Sequence, residues 1–268
     1  MVKPFFITAL LFLIGLPVLS NDHIIRGKTI TADQSMIVTR HYLASEIGNQ
    51  ILLDGGNAID ASVAVSFALS VVLPQASPIG GGGFMIIHDK NTNTDYALDY
   101  REMAPNKATE NMFVVDGKVD RNLALESYLS SGVPGTVYGL YLAHQRFGIL
   151  PWKKLIEPAI ILAKDGFPIT DTLAKSLDTY KDKLAKTPDG RKIFFKDGSI
   201  LKSGEILVQS DLANTLKLIA QKGPAGFYKG LTAQKIQLDM RKNGGLISSA
   251  DLRNYKAKFR TPIRFNYK

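Results

Sequence analysis

The stretch Pro78-Ile79-Gly80-Gly81-Gly82-Gly83-Phe84-Met85-Ile86-Ile87-His88 decides the fold around the middle of this sequence. Residues 84–88 have the composition of a strand, and residues 96–101 predict a second strand. The polar run between them predicts a turn, so the two strands should form an antiparallel hairpin. Glycines are entropically costly to order. We therefore expect the run of glycines to let the backbone lie directly against a ligand or another chain segment. Close packing of a helix on a strand, with no ligand, is the alternative.

The sequence before the hairpin has the periodicity of helices. Between residues 33 and 74 the pattern is helical, and Leu43, Ile47 and Ile51 recur every four positions along one face. The pair Gly55-Gly56 should end this first helix in the manner of a C-cap.

A second helix should follow at once, with Asn57 as its N-cap. It is apolar almost all round until Pro74, which predicts a buried helix. Downstream, residues 132–135 introduce a helix that ends near Gly148. Further helical patterns lie at 151–165, 170–186, 209–222, 229–243 and from 249, before an extended segment at 259–265. The sequence therefore predicts a helix-rich α+β fold.

Composition bounds the chemistry. The chain has 268 residues, is 45% hydrophobic and contains no cysteine, which excludes a disulfide, a zinc–thiolate site and a cysteine nucleophile. The formal charge of +9 permits a nucleic-acid binder, a membrane-surface protein or an enzyme for anionic substrates. The lysines are scattered along helical segments without clustered aromatics, which disfavours nucleic acid.

Residues 1–20 are typical of a secretory signal peptide. Lys3 gives a short basic start, Phe5 to Leu19 is almost wholly apolar, and a cut could fall before Asn21. This predicts export to a periplasm or out of the cell, with no stable membrane span after removal. An uncleaved anchor is the alternative.

Standard catalytic motifs do not occur. The four histidines are far apart in sequence, so no zinc site is predicted. There is no Gly-x-Ser-x-Gly elbow and no phosphate-binding loop with its lysine. The glycine run precedes a strand and lacks the spacing of a dinucleotide fingerprint.

Arg101 is the candidate binding residue. It stands where the second strand runs out, just before Ala104-Pro105, a position suited to the rim of a cleft. A guanidinium offers a rigid fork that matches a carboxylate. A salt bridge from Arg101 to Glu102 or Asp99 is the structural alternative.

Several motifs together resemble the γ-glutamyltransferase (glutathione hydrolase) family. They occur in that family's order and approximate spacing, over roughly residues 33 to 268. The motifs are Asp54-Gly55-Gly56-Asn57-Ala58-Ile59-Asp60-Ala61, Gly80–Met85, Asp99-Tyr100-Arg101-Glu102-Met103-Ala104-Pro105, Gly132-Val133-Pro134-Gly135-Thr136-Val137, Lys222-Gly223-Pro224 with Phe227-Tyr228-Lys229-Gly230, and Asn243-Gly244-Gly245-Leu246-Ile247.

The resemblance implies an N-terminal nucleophile hydrolase, an αββα sandwich made as an exported precursor that cuts itself into two subunits. A threonine at the start of the small subunit attacks the γ-glutamyl amide of glutathione, and the glutamyl group passes through an acyl-enzyme to water, an amino acid or a peptide. The resemblance implies that Arg101 binds the α-carboxylate of the γ-glutamyl group. It implies no cofactor and no metal, and it makes the small subunit of the same precursor the partner.

The catalytic threonine has no counterpart in this chain, so no residue here is predicted to be catalytic. Residues 21–268 are interpreted as part of a large subunit: the helix-rich N-terminal portion of the sandwich with its β-hairpin. Such a fragment alone should be inactive. A related cephalosporin or glutaryl acylase, and a truncated non-catalytic product, are the alternatives.

Overall fold

In the computed structural model, which describes residues 30–267, the predicted hairpin is present and a third strand joins it. Strand β1 (Phe84–Asp89) pairs antiparallel with β2 (Thr94–Asp99), which pairs antiparallel with β9 (Lys258–Arg260). The register sets Phe84 opposite Asp99. The extended segment predicted at 259–265 therefore contributes only its first two residues to the third strand, and residues 261–265 form no strand.

Short strands form three further antiparallel pairs. They are β3 (Val114–Val115) with β4 (Lys118–Val119), β5 (Phe167–Pro168) with β8 (Ile206–Leu207), and β6 (Phe195–Lys196) with β7 (Ser199–Ile200).

Helices make up most of the remaining regular structure, which confirms the helix-rich α+β prediction. They are α1 (Tyr42–Leu53), α2 (Ala58–Val72), α3 (Arg121–Glu126), α4 (Thr136–Phe147), α5 (Trp152–Asp165), α6 (Asp171–Leu184), α7 (Pro188–Phe194), α8 (Ser210–Lys222), α9 (Ala225–Tyr228), α10 (Gly230–Lys242) and α11 (Ser249–Asn254), with a 3₁₀ turn at Tyr128–Ser130.

The first helix begins later than the sequence pattern predicts. Residues 33–41 are not helical, and α1 starts at Tyr42. The reason is local capping: the Thr39 hydroxyl accepts the main-chain N–H of His41, and Nδ1 of His41 accepts that of Leu43. These bonds satisfy N–H groups that the start of a helix leaves free.

The predicted Asn57 cap is confirmed, and it is part of a capping box. The Asn57 side chain accepts the N–H groups of Ile59 and Asp60, while the Asp60 carboxylate accepts the N–H of Asn57. Asp60 is fully buried and also receives the N–H groups of Ile149 and Leu150. This carboxylate joins the start of α2 to the end of α4.

Helix α2 is buried, as predicted, but helices provide its cover. It packs against α1, α4 and α5, and Phe67 and Val71 are fully buried in the resulting core. Much of the cover of α2 therefore comes from helices of the same chain.

The described residues fall into two units. Residues 37–267 belong to one compact unit, and residues 30–36 belong to another and contain no helix or strand. The predicted signal peptide, residues 1–20, lies outside the described residues. Within residues 30–267 no helix is long and apolar enough to span a bilayer.

Candidate functional site

An open cleft lies where the glycine run, the end of β2 and the start of α4 meet. Its volume is about 300 Å³. It is lined by Ser66, Leu69, Ala76, Ser77, Pro78, Gly81, Gly82, Tyr100, Arg101, Glu102 and Thr136. Among these lining residues Arg101 carries the one positive charge and Glu102 the one negative charge.

The Arg101 side chain lies at the cleft and remains open to solvent. Its side chain is 58% exposed, and Nη1 lies 3.4 Å from Oε2 of Glu102. Both readings of the sequence therefore apply in part, because the guanidinium has an acidic neighbour and also faces a cavity. The contact is not a hydrogen bond, since Oε2 of Glu102 is buried without a hydrogen-bond partner among the described residues, and the exposed guanidinium remains available to an anion.

The main chain of Arg101 is held on both sides. Its N–H donates to Oδ1 of Asp99 over 3.0 Å, and its carbonyl oxygen accepts the hydroxyl of Tyr255 over 2.8 Å. Asp99, the other acid considered for a salt bridge, thus contacts the backbone of Arg101, and its second oxygen contacts Arg260. These hydrogen bonds lower the pKa of Asp99: the bond from Arg101 is the larger cause and the Arg260 side chain the next.

The glycine run packs against another segment of the chain, as expected, and also borders the cleft. Gly81 and Gly82 line the cleft, while Gly83 exchanges main-chain hydrogen bonds with Tyr100. A Cβ at Gly82 would lie 2.5 Å from the carbonyl oxygen of Tyr100 and 2.8 Å from the nitrogen of Glu102. Gly82 is therefore required for the close approach of the chain that carries Arg101.

Helix α4 begins against the same glycines. The N–H groups of Gly135 and Thr136 donate to the carbonyl of Gly81 over 2.8 and 3.0 Å. A Cβ at Gly135 would overlap the carbonyl oxygen of Tyr100 and the hydroxyl of Tyr255. The predicted glycine-rich entry to α4 thus closes one wall of the cleft.

Two buried tyrosines stand behind Arg101. Tyr228 and Tyr255 stack with ring centroids 5.7 Å apart and planes 4° from parallel. The Tyr228 hydroxyl donates to the carbonyl of Pro134, 2.9 Å away. Burial raises the pKa of both phenols, with nearby Asp99 and Glu102 adding to the effect at Tyr255. Both hydroxyls are therefore protonated donors at any ordinary pH. Sequence reasoning missed Tyr255, because this residue lies 154 positions from Arg101 and no local pattern connects the two.

The cleft can bind an anion, but its lining lacks the parts of a nucleophilic centre. The hydroxyls are those of Ser66, Ser77 and Thr136, and the lining contains no histidine to act as their base. Within residues 30–267 no group of three His, Cys, Asp or Glu side chains is arranged to hold a metal ion. Arg101 is thus at the predicted place, and its role stays a prediction.

Comparison with known proteins gives a consistent result. The model of the gamma-glutamyltranspeptidase family matches residues 44–268. The glutathione hydrolase proenzyme of Escherichia coli is 48% identical over 241 residues, which are 89% of this chain and 41% of that protein. This chain spans less than half the length of the curated relatives it matches.

Solved structures agree with the sequence relatives. The gamma-glutamyltranspeptidase of Helicobacter pylori is 44% identical with a TM-score of 0.87, covering 90% of this chain and 69% of that one. A cephalosporin acylase from Bacillus halodurans is 27% identical with a TM-score of 0.73, covering 90% of this chain and 48% of that one. The fold is that of the N-terminal nucleophile hydrolases. On its motifs, its cleft and these matches, this chain belongs to the γ-glutamyltranspeptidase family and corresponds to the N-terminal part of the large subunit.

Proposed function

We propose that this chain supplies the substrate-carboxylate site of a glutathione hydrolase and γ-glutamyltransferase. The substrates would be glutathione and other γ-glutamyl compounds. The observation that carries the proposal is the exposed Arg101 guanidinium at the rim of an open cleft, on a rigidly held main chain. A γ-glutamyl group ends in a free α-carboxylate, which a guanidinium binds through two parallel hydrogen bonds.

The charges of the cleft complement the two charged groups of an α-amino acid, its α-carboxylate and its α-ammonium. Arg101 offers a cation, and Glu102 offers an anion beside it. Hydrogen bonds to a charged group are worth about 1.5–3 kcal/mol each. The Arg101–Glu102 contact is 3.4 Å long, and the buried Oε2 of Glu102 has no hydrogen-bond partner among the described residues. The guanidinium N–H groups are therefore available to a bound carboxylate.

The reaction needs a nucleophile that this chain does not provide. In our proposal a threonine that begins a second subunit attacks the γ-carbonyl carbon, with its own free α-amine taking the hydroxyl proton. The C–N bond of the amide breaks, the amine leaves with a proton, and an ester to the threonine remains. Water, or the amine of an amino acid or peptide, then attacks the ester and frees the threonine. An α-amine locked in a peptide bond is not a base, which explains a precursor that must cut itself.

An exposed apolar face on strand β1 is consistent with a second subunit that packs against it. Phe84 and Ile86 on β1 are 65% and 71% exposed. Apolar side chains side by side on a strand are typical of a surface that another element covers. We propose that the second subunit of the same precursor covers it. We also propose that residues 1–20 direct export to the periplasm or the medium.

The test begins with the complete gene product that contains this chain. We expect two bands on a denaturing gel and hydrolysis of a γ-glutamyl anilide. A single band with no hydrolysis would contradict the proposal and favour a non-catalytic product. The acylase alternative draws on the similarity to the cephalosporin acylase, and a glutaryl amide carries a carboxylate that Arg101 could also bind. Faster hydrolysis of the glutaryl amide than of the γ-glutamyl anilide would favour the acylase.

A further inference from the structure

Tyr255 lies directly behind Arg101, at the junction of two elements. It follows α11 and precedes β9, the strand that pairs with β2. Its side chain is 3% exposed, and the parallel stack on Tyr228 fixes the ring. A buried ring in a fixed stack holds its hydroxyl at one point, because rotation about its side-chain bonds is blocked.

The hydroxyl of Tyr255 reaches Arg101 through a gap that Gly135 leaves open. It donates to the Arg101 carbonyl oxygen over 2.8 Å, and a Cβ at Gly135 would overlap it. Burial keeps this phenol protonated, so it is a donor throughout the working range of pH. The hydrogen bond is therefore not lost by ionisation of the phenol, and it joins segments 154 positions apart.

The backbone and the side chain of Arg101 differ in how firmly they are held. Asp99 holds the N–H and Tyr255 holds the carbonyl. The Arg101 side chain, in contrast, is 58% exposed, and among the described residues its one charged neighbour is the buried Oε2 of Glu102, 3.4 Å from Nη1. The direction in which the side chain leaves the main chain is thus set by the two main-chain anchors.

We propose that Tyr255 is a positioning residue for Arg101, holding its main chain so that the guanidinium meets the α-carboxylate of the substrate. The inference rests on the function proposed above. A displacement of about 1 Å at a binding group is enough to weaken a two-bond contact substantially. Loss of the Tyr255 hydroxyl should therefore weaken substrate binding and have much less effect on the chemical step.

The experiment compares Tyr255→Phe with Tyr228→Phe in the complete, processed gene product. The two tyrosines are 3% and 4% exposed and share one stack, and each variant loses one buried hydroxyl. The Tyr228 hydroxyl contacts Pro134 and Tyr138 instead of Arg101. Each protein is assayed with γ-glutamyl-p-nitroanilide and with the analogue whose α-carboxylate is a neutral carboxamide.

We expect Tyr255→Phe to raise KM for the carboxylate substrate about three- to tenfold, the range that one lost hydrogen bond allows. KM for the carboxamide and kcat for both substrates should stay near the wild-type values. Tyr228→Phe should lower Tm by about as much as Tyr255→Phe does, but it should not raise KM. KM does not depend on the folded fraction, so partial unfolding would not disguise the result.

Four results would overturn the inference while leaving the proposed function intact. Two are an unchanged KM in Tyr255→Phe and failure of Tyr255→Phe alone to fold. The other two are an equal rise in KM with both substrates and an equal rise in both variants. A wild-type enzyme that does not hydrolyse the anilide, or that treats the carboxamide equally well, would instead remove the proposed function and the inference together.

Discussion

Arg260 and Asp99 join neighbouring strands through a hydrogen-bonded ion pair, with Nε of Arg260 2.6 Å from Oδ2 of Asp99. The other oxygen of the same carboxylate holds the N–H of Arg101. One acid therefore fixes β9 to β2 and also anchors the candidate binding residue. Without Asp99, both the third strand and the Arg101 main chain would lose a contact.

This pairing predicts a pH dependence. The folded protein lowers the pKa of Asp99 below its ordinary 3.8. Its contribution to stability is complete above that ordinary value and is lost as the pH falls through the lower pKa of the folded state. In thermal unfolding between pH 3 and pH 7, Asp99→Asn should lower Tm near neutral pH, and the gap to wild type should narrow in acid. Exposed Asp165→Asn serves as the control, and a gap that is constant with pH would contradict the prediction.

The buried Asp60 should be a large contributor to stability. It is inaccessible to solvent and accepts main-chain N–H groups from Asn57, Ile149 and Leu150. Asp60→Asn replaces one acceptor oxygen by a donor, which leaves buried N–H groups without partners. We expect a loss of about 2–3 kcal/mol in urea unfolding. Asp54→Asn, at a solvent-exposed ion pair with Lys154, should change almost nothing. An equally small effect at Asp60 would count against its role as a link between α2 and α4.

The glycine run permits a test that compares two positions of the same run. A Cβ at Gly80 meets nothing within 4 Å, whereas one at Gly82 meets the backbone of Tyr100 and Glu102. Gly80→Ala should be neutral or slightly stabilising, and Gly82→Ala should cost about 1–3 kcal/mol through overpacking. The measurement is the midpoint of urea unfolding of each variant, compared with that of the wild type. Equal effects would mean that Gly82 is not needed for close packing.

Arg146 offers a test of cation–π stabilisation. Its guanidinium carbon lies 4.3 Å from the ring centroid of Tyr96 and 4.6 Å from that of Phe259, on strands β2 and β9. Arg146→Met should cost about 0.5–1 kcal/mol from this contact. Arg241→Met is the control, because both arginines stand in the last turn of a helix and lose the same interaction with its dipole. Equal losses in the free energy of unfolding for the two variants would show that the aromatic rings contribute nothing.

Local patterns predicted the parts of this fold that depend on near neighbours. The hairpin of β1 and β2, the Asn57 cap and the start of α4 after Gly135 all follow from residues within a few positions. Two short hairpins were not predicted, although the Asp-Gly pair in each of their turns is typical of a hairpin. Asp116-Gly117 and Asp197-Gly198 adopt positive φ at both positions, as the tight turns of two-residue hairpins require.

The contact between Tyr255 and Arg101 could not be found in this way. The Tyr255 contact needs β9 to pair with β2, and it needs Gly135 to leave space for a hydroxyl. Neither condition is visible at Tyr255 itself. The sequence predicts a strand that runs to Arg101, whereas β2 ends at Asp99 and Arg101 follows two residues later. The Asp99 contact is local, spanning two positions, and the Tyr255 contact depends on tertiary structure.

The most direct test of the account is the KM of an Arg101→Lys variant for a γ-glutamyl substrate in the complete gene product. A lysine keeps the charge and loses the two-pronged geometry. We predict a rise in KM of about tenfold or more with self-cleavage into two bands unchanged. Arg253→Lys, an exposed change on α11, should match wild type. A KM for Arg101→Lys equal to that of wild type would contradict the claim that this guanidinium binds the substrate.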